Sequence, residues 1–324
     1  MTEKIEVIYI CDEKFVKLTA ISIYSLLYNN KSNNIKIWLI ANGIKKESKG
    51  SIIELVHKFH KEIAVVDAID LKERFIIPKT IYSNLSVYNN LFLASMINAE
   101  KAIYIDGDTI ILRSLSEMWE VDIKDKYVAG VKDTIGIIER AEAGIGRDEL
   151  YINTGVMLCN LNLWREDQLE KKYIDYINGH TGKYIFRSQR IINAVCKNKM
   201  IQISPHFNLL PDYIRFNHKQ NCILHQTKTF YDDKVLFDAR SNPCILHYAG
   251  REYNRPWYNK CIHPMKGVFE EYESQSGWHM ERKEYRLRKK IQFEKILIQY
   301  MPNTVYIIIA NINNTIKCIK KGVL

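Results

Sequence analysis

The sequence lacks several patterns that identify common classes of protein. Its seven cysteines are scattered along 324 residues, and no two of them form a Cys-x-x-Cys pair. This pattern argues against a disulfide scaffold or a structural zinc site, and reduced thiols in a cytosolic compartment fit it better. The start of the chain is charged, unlike a secretory signal, and no uninterrupted apolar run reaches roughly 18 residues. We therefore predict a cytoplasmic protein without a membrane-spanning helix.

Glycine-rich loops that bind phosphate are also missing. Neither Gly-x-x-x-x-Gly-Lys-Ser/Thr nor Gly-x-Gly-x-x-Gly occurs in the chain. A diphosphate would therefore need a metal ion and basic side chains, because no motif provides a cradle of backbone amides. No internal repeat or low-complexity linker is visible. The composition, 47% hydrophobic and 26% charged, is that of an ordinary globular protein with length for one large domain or two.

Positive charge is concentrated at the C-terminal end. Residues 281–324 contain ten Lys and Arg against three Glu, so they carry +7 of the total net charge of +10. A basic segment on a nearly neutral globule indicates an anionic partner, either membrane lipid or nucleic acid. Nucleic acid is disfavoured because few aromatic residues interleave with the basic ones. We predict that residues 281–324 lie on an anionic membrane surface; a solvated helix or a dimer contact is the alternative.

Four apolar runs alternate with helical patterns in the first third of the chain. This alternation predicts a parallel sheet with helices on both faces, in which ligands bind beyond the carboxyl ends of the strands. Asp12 follows the first run and Asp106 the fourth, so we expect both side chains at one crevice. The predicted strands are Ile5–Cys11, Ile35–Ile40, Ile63–Val66 and Ala102–Ile105, and the predicted helices are Phe15–Tyr28, Lys45–His60 and Val87–Asn98.

The rest of the chain has weaker patterns. Residues 204–251 are rich in His, Asn, Tyr and Pro and are predicted as loops and short strands, where functional side chains are common. Residues 281–298 are predicted as a basic helix whose apolar stripe is interrupted by Glu294. The other predicted elements are strands over Tyr127–Val131 and Gly155–Asn160 and helices over Leu163–Ile177 and Gln189–Cys196.

The most informative stretch is Asp106-Gly107-Asp108, directly after the fourth apolar run. If that run is a strand, side chains two residues apart point the same way, and the two carboxylates can share one hard cation. Gly107 would leave room for phosphate groups close to the backbone. The same three residues could instead form a polar turn or a helix cap.

A cation held by two carboxylates needs a third ligand, and His247 is the candidate. It lies in another apolar run, Cys244–Gly250, that ends in polar residues. An imidazole together with carboxylates suits manganese better than magnesium. A single histidine is more often structural than a ligand, so this residue alone does not decide between the two roles.

Several blocks of residues follow one another in a recognisable order. They are Asp12 after the first strand, Asp106-Gly107-Asp108 after the fourth, Tyr151–Leu161 before Trp164-Arg165, and His247–Gly250 before Pro256-Trp257. In this order and spacing they resemble glycosyltransferase family 8. This family of retaining transferases includes bacterial lipopolysaccharide α-galactosyltransferases and α-glucosyltransferases, and glycogenin. The resemblance extends over residues 5–265.

The resemblance implies a GT-A fold, an α/β architecture with one Rossmann-like mixed sheet flanked by helices. It divides the chain into a glycosyltransferase domain over residues 1–265 and a basic C-terminal helical tail over residues 266–324, which could attach to a membrane surface. It also implies a UDP-sugar donor and Mn²⁺, or Mg²⁺, held by Asp106, Asp108 and His247.

Further positions match donor-contacting residues of the family. These are Asp12 and Phe15 at the uracil ring, Asp133, Asn153 and Gly155 at the sugar, and Asp106, Gly250 and Arg255 at the diphosphate. Two of the matches have simpler alternatives. Phe15 could be ordinary core packing, and Asn153-Thr154-Gly155 could be only a turn before a strand.

The chain departs from the family pattern mainly at the sugar end. Asn90 stands where family members usually have an arginine. Ser188 and Arg190 flank Gln189 at positions where the family often has acids, and Arg255 replaces a lysine. UDP and metal binding are therefore better supported than the identity of the sugar.

Together these features predict a metal-dependent retaining hexosyltransferase. It would move a hexose from a UDP-sugar to a glycan or lipid-linked acceptor in bacterial surface polysaccharide or lipopolysaccharide synthesis. Since Arg190 replaces the usual carboxylate, we predict attack from the leaving-group face, with Gln189 and backbone groups stabilising the cation and Asp133 as a second catalytic candidate. The alternatives are a nucleotide-sugar hydrolase and a non-catalytic UDP-binding family member that acts as a partner protein.

Overall fold

The computed structural model describes residues 3–71, 74–75, 88–180, 187–284 and 288–323. Within these residues the chain forms nine β-strands and fourteen α-helices. The strands are β1 (Ile5–Asp12), β2 (Ile35–Asn42), β3 (Glu62–Asp67), β4 (Lys101–Ile105), β5 (Thr109–Ile111), β6 (Val128–Lys132), β7 (Ile152–Asn160), β8 (Met200–Gln202) and β9 (Ile245–His247). The helices are α1 (Val16–Asn29), α2 (Lys46–Lys58), α3 (Leu93–Met96), α4 (Ser116–Trp119), α5 (Ile137–Glu142), α6 (Leu161–Glu166), α7 (Leu169–Gly179), α8 (Ser188–Cys196), α9 (Pro211–Arg215), α10 (His218–Leu224), α11 (Asp233–Ser241), α12 (Lys266–Ser276), α13 (Lys289–Tyr300) and α14 (Asn303–Lys320).

Seven of the strands form one sheet in the order β3-β2-β1-β4-β7-β6-β8. The strands β3, β2, β1 and β4 run parallel, which confirms the prediction for the first third of the chain. β7 runs antiparallel to both of its neighbours, so the complete sheet is mixed. All of β7 except Asn160 is buried. Continuous apolar runs form strands here because helices cover both faces of the sheet.

Two hydrophobic cores lie on the two faces of this sheet. Side chains alternate along β1: Val7 and Tyr9 belong to the first core, and Ile8 belongs to the second. Helices α1, α2 and α12 close the first core, while α6 and α7 close the second with Trp164 and Tyr173. This arrangement confirms the predicted α/β class.

A second, two-stranded sheet joins distant parts of the chain. β5 pairs antiparallel with β9, so that Thr109 lies opposite His247 and Ile111 opposite Ile245. β5 begins directly after Asp106-Gly107-Asp108. The pairing therefore carries His247 to the acid pair.

Two predicted helices differ in the structure. Only α3 forms an α-helix within Val87–Asn98, because Ile97 is already extended (φ −129°, ψ 146°) on the way into β4; Val87 lies outside the described residues. The predicted helix Leu163–Ile177 is divided into α6 and α7. The division falls at Gln168, whose left-handed φ of 50° interrupts the helical backbone.

The prediction of loops and short strands is wrong for the helical part of the segment 204–251. Besides β9, it contains α9, α10 and α11. Asn217 and Gln220 form a capping box at the start of α10, and Asp232 accepts from the Val235 N–H at the start of α11. Some of the polar residues in this segment are therefore present because they cap the first turns of helices.

The predicted basic helix over residues 281–298 begins later than expected. Lys283 forms an isolated parallel bridge with Tyr258, and the helix α13 starts at Lys289. We call α13 and α14 together the C-terminal hairpin. It packs against the body of the protein: the Tyr306 and Phe216 rings stack with centroids 5.8 Å apart, and near its end Lys321 pairs with Glu142 at 2.7 Å.

Helix α12 packs against α1. Phe269 belongs to the first core, and Asn29 Nδ2 donates to the Tyr272 hydroxyl at 2.7 Å. The division of the chain at residue 265 stays a prediction. Among the helices that the structure describes, none combines the length and the apolar character that crossing a membrane requires.

Candidate active site

A cleft of about 910 Å³ opens at the carboxyl ends of the parallel strands. Asp12 is the last residue of β1, Asn42 is the last of β2, and Asp106 follows β4 directly. This is the edge at which open α/β sheets bind ligands. The residues that the sequence predicts for the site all line this cleft: Asp12, Phe15, Asp106, Asp108, Asp133, Asn153, Gly155, Gln189, His247, Gly250 and Arg255.

Asp106, Asp108 and His247 form a tight cluster in the cleft. Each offers one ligand atom, and these three atoms lie within 4.8 Å of one another. The β5–β9 pairing fixes this geometry, because the Tyr248 N–H donates to the Asp108 carbonyl at 3.0 Å and His247 Nε2 lies 3.2 Å from Asp108 Oδ1. Two carboxylates and an imidazole at these distances could hold a divalent cation.

Two asparagines determine the orientation of the His247 ring. Asn208 Oδ1 lies 2.9 Å from His247 Nδ1, and Asn208 Nδ2 donates to Asn153 Oδ1 at 2.9 Å. Asn153 Oδ1 also accepts from the Gly155 N–H at 3.0 Å, which identifies it as the carbonyl oxygen. His247 Nδ1 therefore carries a proton, and Nε2 is turned toward the acids, where its lone pair could bind a cation when that nitrogen is unprotonated.

The pKa shifts of the three side chains indicate that nearby positive groups do not fully balance the negative charge of the two carboxylates. Burial and the Asp108 charge raise the pKa of Asp106. Burial also acts to raise the pKa of Asp108, but the charge and hydrogen bond of His247 and the charge of Arg255 lower it overall. For His247, burial is outweighed by the two acids, and its pKa is raised. A cation among these groups would favour the ionised form of both carboxylates.

Two glycines in the site are required by close contacts. A Cβ on Gly155 would lie 2.3 Å from His247 Cε1 and 2.8 Å from Asp106 Oδ2. A Cβ on Gly107 would lie 2.5 Å from Thr19 Oγ1. A side chain at position 107 would therefore collide with Thr19 of α1, while Gly107 itself lines the cleft; that it leaves room for phosphate groups stays a prediction. Gly155 leaves room for the ring of His247.

Asp133, Asn153 and Gln189 form a hydrogen-bonded group beside the cluster. Asp133 accepts from Asn153 Nδ2 at 3.1 Å and from Gln189 Nε2 at 2.6 Å, while Gln189 Oε1 accepts from the Thr154 N–H at 3.1 Å. Residues 153–155 lie inside β7, so the alternative that they form only a turn is wrong. One chain of hydrogen bonds links His247, Asn208, Asn153, Asp133 and Gln189.

Asp12 and Phe15 lie at the end of β1. Asp12 Oδ1 accepts from the N–H groups of Lys14 and Phe15 at 2.9 and 3.1 Å, so it caps the short 3-10 helix Glu13–Phe15. Phe15 is 47% exposed and lines the cleft. The core-packing alternative for Phe15 is therefore wrong, while a role at a nucleobase stays a prediction.

Gly250 and Arg255 lie on the segment after β9. Gly250 has a φ of 88°, a left-handed conformation that favours glycine. Arg255 Nε is buried and has no hydrogen-bond partner among the described residues. A guanidinium N–H in this state is an available donor for a phosphate oxygen.

The departures from the family pattern differ in where they lie. Asn90 is 8% exposed, lines the cleft, and has a side-chain oxygen without a hydrogen-bond partner among the described residues. Ser188 also lines the cleft. Arg190 is not among the lining residues and instead pairs with Glu142 of α5. Of these three substitutions, only the first two line the ligand space.

Sequence reasoning missed two residues that hold the cluster. Asn208 orients His247, and the Tyr104 hydroxyl donates to Asp106 Oδ1 at 2.6 Å. Tyr104 lies within the apolar run of β4 and Asn208 within a segment predicted as loop. The polar character of Asn208 in its buried position is visible only once the fold is known.

A mixed sheet with an acid pair at the edge of its parallel strands is the architecture of GT-A glycosyltransferases. Residues 6–261 match the Glycosyl transferase family 8 profile, and the chain belongs to this family. The resemblance predicted from the sequence is thereby confirmed.

Two relatives span most of the chain. One is General stress protein A of Bacillus subtilis, 26% identical over 284 residues that cover 86% of this chain and 96% of that protein. Another is a lipopolysaccharide 1,2-glucosyltransferase of Escherichia coli, 25% identical over 279 residues that cover 82% of this chain and 77% of that protein.

Among solved structures, the chain is similar to galactosyltransferase LgtC in complex with donor and acceptor sugar analogs. The TM-score is 0.67 at 18% identity, and the similarity covers 89% of this chain and 99% of that one. This similarity confirms the predicted GT-A fold.

Proposed function

We propose that this chain is a metal-dependent retaining hexosyltransferase. It transfers a hexose from a UDP-sugar to a glycan or lipid-linked saccharide in the synthesis of bacterial surface polysaccharide or lipopolysaccharide. The observation that carries the proposal is the cluster of Asp106, Asp108 and His247 at the carboxyl edge of the parallel strands. Membership of family 8 and the similarity to a lipopolysaccharide 1,2-glucosyltransferase support it.

The cluster fits Mn²⁺, with Mg²⁺ as the second choice. Carboxylates together with a neutral imidazole suit manganese, and Asn208 turns Nε2 of His247 toward the acids. Gly155 keeps the space beside the ring open. Asp106, Asp108 and His247 would hold the ion. When bound, it would stabilise the negative charge of the diphosphate leaving group as a Lewis acid.

Arg255 binds the diphosphate in this proposal. It lines the cleft together with Asp106 and Asp108, and its buried Nε has no hydrogen-bond partner among the described residues. A guanidinium can contact two phosphate oxygens at once, and such contacts are stronger than those between neutral groups. Arg255 therefore both orients the donor and compensates charge as the sugar–oxygen bond breaks.

Gln189 stabilises the positive charge that develops at the sugar. Its amide is held at both ends, by Asp133 and by the Thr154 N–H, so its carbonyl oxygen is positioned without further reorganisation. Both oxygens of Asp133 accept hydrogen bonds, which favours an orienting role over that of a nucleophile. Retention then results from attack on the leaving-group face. A glycosyl adduct trapped on a side chain would contradict this mechanism.

The direct test is release of UDP from a panel of UDP-sugars in the presence of Mn²⁺. We expect turnover with one or a few UDP-hexoses and none after addition of EDTA. Asn90 lines the cleft where the family usually has an arginine, and its side-chain oxygen has no hydrogen-bond partner among the described residues, so we expect a hydroxyl group of the preferred sugar to donate to it. No turnover with any donor, with UDP still bound, would favour the alternative function of a non-catalytic UDP-binding partner protein.

We also propose that the protein is cytoplasmic and that the C-terminal hairpin attaches it to an anionic membrane. Lys289, Lys317 and Lys320 of the hairpin are exposed. Each lysine or arginine near an anionic surface contributes about 1 kcal/mol. The hairpin also exposes large apolar side chains: Phe293, Ile296, Tyr300, Met301, Ile308, Ile312, Ile316 and Ile319. Such a combination is typical of helices that lie in a membrane interface.

Liposome flotation tests this attachment with the full chain. We expect flotation with vesicles that contain anionic lipid, little with neutral vesicles, and a loss when Lys317 and Lys320 are both replaced by Gln. Lys58 and Lys126, which lie outside the hairpin, supply a control with the same change of charge. Equal flotation of both double variants, or flotation independent of anionic lipid, would contradict the proposal.

A further inference from the structure

The C-terminal hairpin supplies part of the wall of the active cleft. Glu294 and Ile298 of α13 and Tyr306 of α14 line the cleft together with the predicted metal ligands. In the sequence, Glu294 is the residue that interrupts the apolar stripe of this helix. In the structure, the carboxylate lies at the cleft and accepts from the Tyr253 hydroxyl at 2.7 Å.

This wall is connected to the segment that borders the metal cluster. Tyr253 is buried and precedes Asn254 and Arg255, which also line the cleft. The Glu294 side chain is 25% exposed, and its second oxygen lies 3.8 Å from Arg251 Nε, beyond hydrogen-bond distance. Glu294 is thus held in place by Tyr253 and keeps capacity to accept further hydrogen bonds.

The cleft is large enough for more than a donor. Ligand pockets usually have volumes of roughly 300–1,000 Å³, and this cleft, at about 910 Å³, lies near the upper limit. Predicted donor residues come from the ends of β1, β4 and β9 and from β7. The remaining wall has apolar and aromatic surface from Leu210, Pro211, Tyr253, Ile298 and Tyr306, the carboxylates of Asp212 and Glu294, and the guanidinium groups of Arg215 and Arg251.

We propose that this wall, to which the C-terminal hairpin contributes, is the acceptor subsite for a saccharide. Hydroxyl groups of the acceptor donate to Glu294, while Ile298 and the ring of Tyr306 pack against the apolar face of a sugar ring. The inference rests on the proposed function, since only a transferase requires an acceptor.

Two variants test the subsite in the full-length protein. Glu294→Gln keeps an oxygen for the Tyr253 hydroxyl but removes the charge, and Ile298→Ala removes apolar surface. Glu281→Gln and Gln292→Ala are the matched controls, because both residues are exposed and neither lines the cleft. Saturation-transfer NMR with octyl β-glucoside and octyl β-galactoside, below their micelle concentrations, measures acceptor binding without any need for turnover.

We expect saturation transfer to at least one glycoside in the unmodified protein. It should fall about tenfold in Glu294→Gln and Ile298→Ala and stay unchanged in the two controls. In turnover with the active UDP-sugar, the two cleft variants should raise KM for the glycoside while their affinity for UDP stays within about twofold, and the two control variants should leave KM and the rate of UDP release unchanged.

Other results would overturn the subsite. These are the absence of binding to either glycoside in the unmodified protein, equal binding by all variants, and loss of UDP affinity in parallel with loss of glycoside binding. Failure of the proposed function is distinguishable, because it would appear as no UDP binding in Mn²⁺ whatever the glycoside signals show.

Discussion

Arg190 Nη2 lies 2.5 Å from Glu142 Oε2, and both side chains are only 16% exposed. The same carboxylate accepts from Lys321, just beyond the C-terminal hairpin, at 2.7 Å. The residue that stands in place of a family acid is therefore engaged outside the cleft. It joins α8, which carries Gln189, to α5 and to the end of the chain.

Replacing Glu142 by Gln should weaken this junction. The change removes the charge that faces the Arg190 guanidinium in a pair whose side chains are both only 16% exposed, so we expect the free energy of unfolding to fall by about 1–3 kcal/mol. Urea denaturation measures the loss. Glu54→Gln is the control, since it breaks an ion pair with Lys58 in which both side chains are more than two-thirds exposed, and it should cause no measurable change. Equal effects of the two substitutions would show that burial does not strengthen the Glu142 pair.

Gly155→Ala should displace the ring of His247. The added Cβ would lie 2.3 Å from His247 Cε1, a distance that requires the ring or the strand to move. We expect a loss of about 1–3 kcal/mol in stability together with weaker Mn²⁺ binding, measured by calorimetry. Gly50→Ala serves as the comparison. It lies in α2 with nothing within 4 Å, so the protein should become slightly more stable and keep its Mn²⁺ affinity.

Asn208→Ala should weaken metal binding without removing a ligand. The substitution frees the His247 ring and deprives Asn153 Oδ1 of one donor. Loss of such an orienting partner typically costs roughly 10–100-fold in metal affinity. The control is Asn33→Ala, which breaks side-chain hydrogen bonds to Asn30 and Ser114 away from the cleft. If both variants bind Mn²⁺ equally well, Asn208 does not orient the ligand.

Asp108→Asn tests the metal assignment directly. The variant keeps the size of the side chain but removes its charge, so Mn²⁺-dependent turnover should disappear. UDP binding should weaken in Mn²⁺ and remain unchanged in EDTA, because only the metal-mediated part of the affinity is lost. Asp122→Asn, at an exposed position outside the cleft, is the control for the change of charge. Normal activity of Asp108→Asn would show that the assignment is wrong.

Stability should decrease in mild acid because of His263. Burial, with a contribution from the charge of Arg215, lowers the pKa of His263 from 6.5 to about 3. The folded protein keeps this ring neutral, whereas the unfolded chain binds a proton below pH 6.5. Stability is therefore complete above pH 6.5 and declines as the pH falls from 6.5 toward 3. Between pH 7 and pH 5 the loss from this group is about 2 kcal/mol.

His263→Asn isolates this contribution to the pH dependence. His263 Nδ1 accepts from the Met265 N–H at 3.1 Å, and an Asn oxygen can accept in its place. Urea denaturation at pH 7 and pH 5 should show a smaller pH-dependent loss for the variant than for the unmodified protein. An identical loss would mean that other groups produce the acid sensitivity.

The sequence predicts those features that depend on local pattern or on a recognisable order of blocks. Apolar runs predict β1, β2, β3 and β4, and their shared edge follows from parallel pairing. The positions of Asp106 and His247 follow from the family blocks. Asn208 and Glu294 are not predicted, because their roles depend on which distant side chains they meet. The capping box at Asn217 is a local sequence pattern, but it is overlooked when residues 204–251 are interpreted from their composition alone.

Pairing between β5 and β9 has a consequence for how the protein is made. Thr109 and His247 are neighbours in the sheet although more than a third of the chain separates them. A nascent chain can complete its first parallel strands early, but it acquires the imidazole of the cluster only after residue 247 has left the ribosome. While the residues from 109 to 246 are made, the two acids are therefore present without their histidine. Metal capture is consequently expected to be among the last steps of maturation and to report on complete folding.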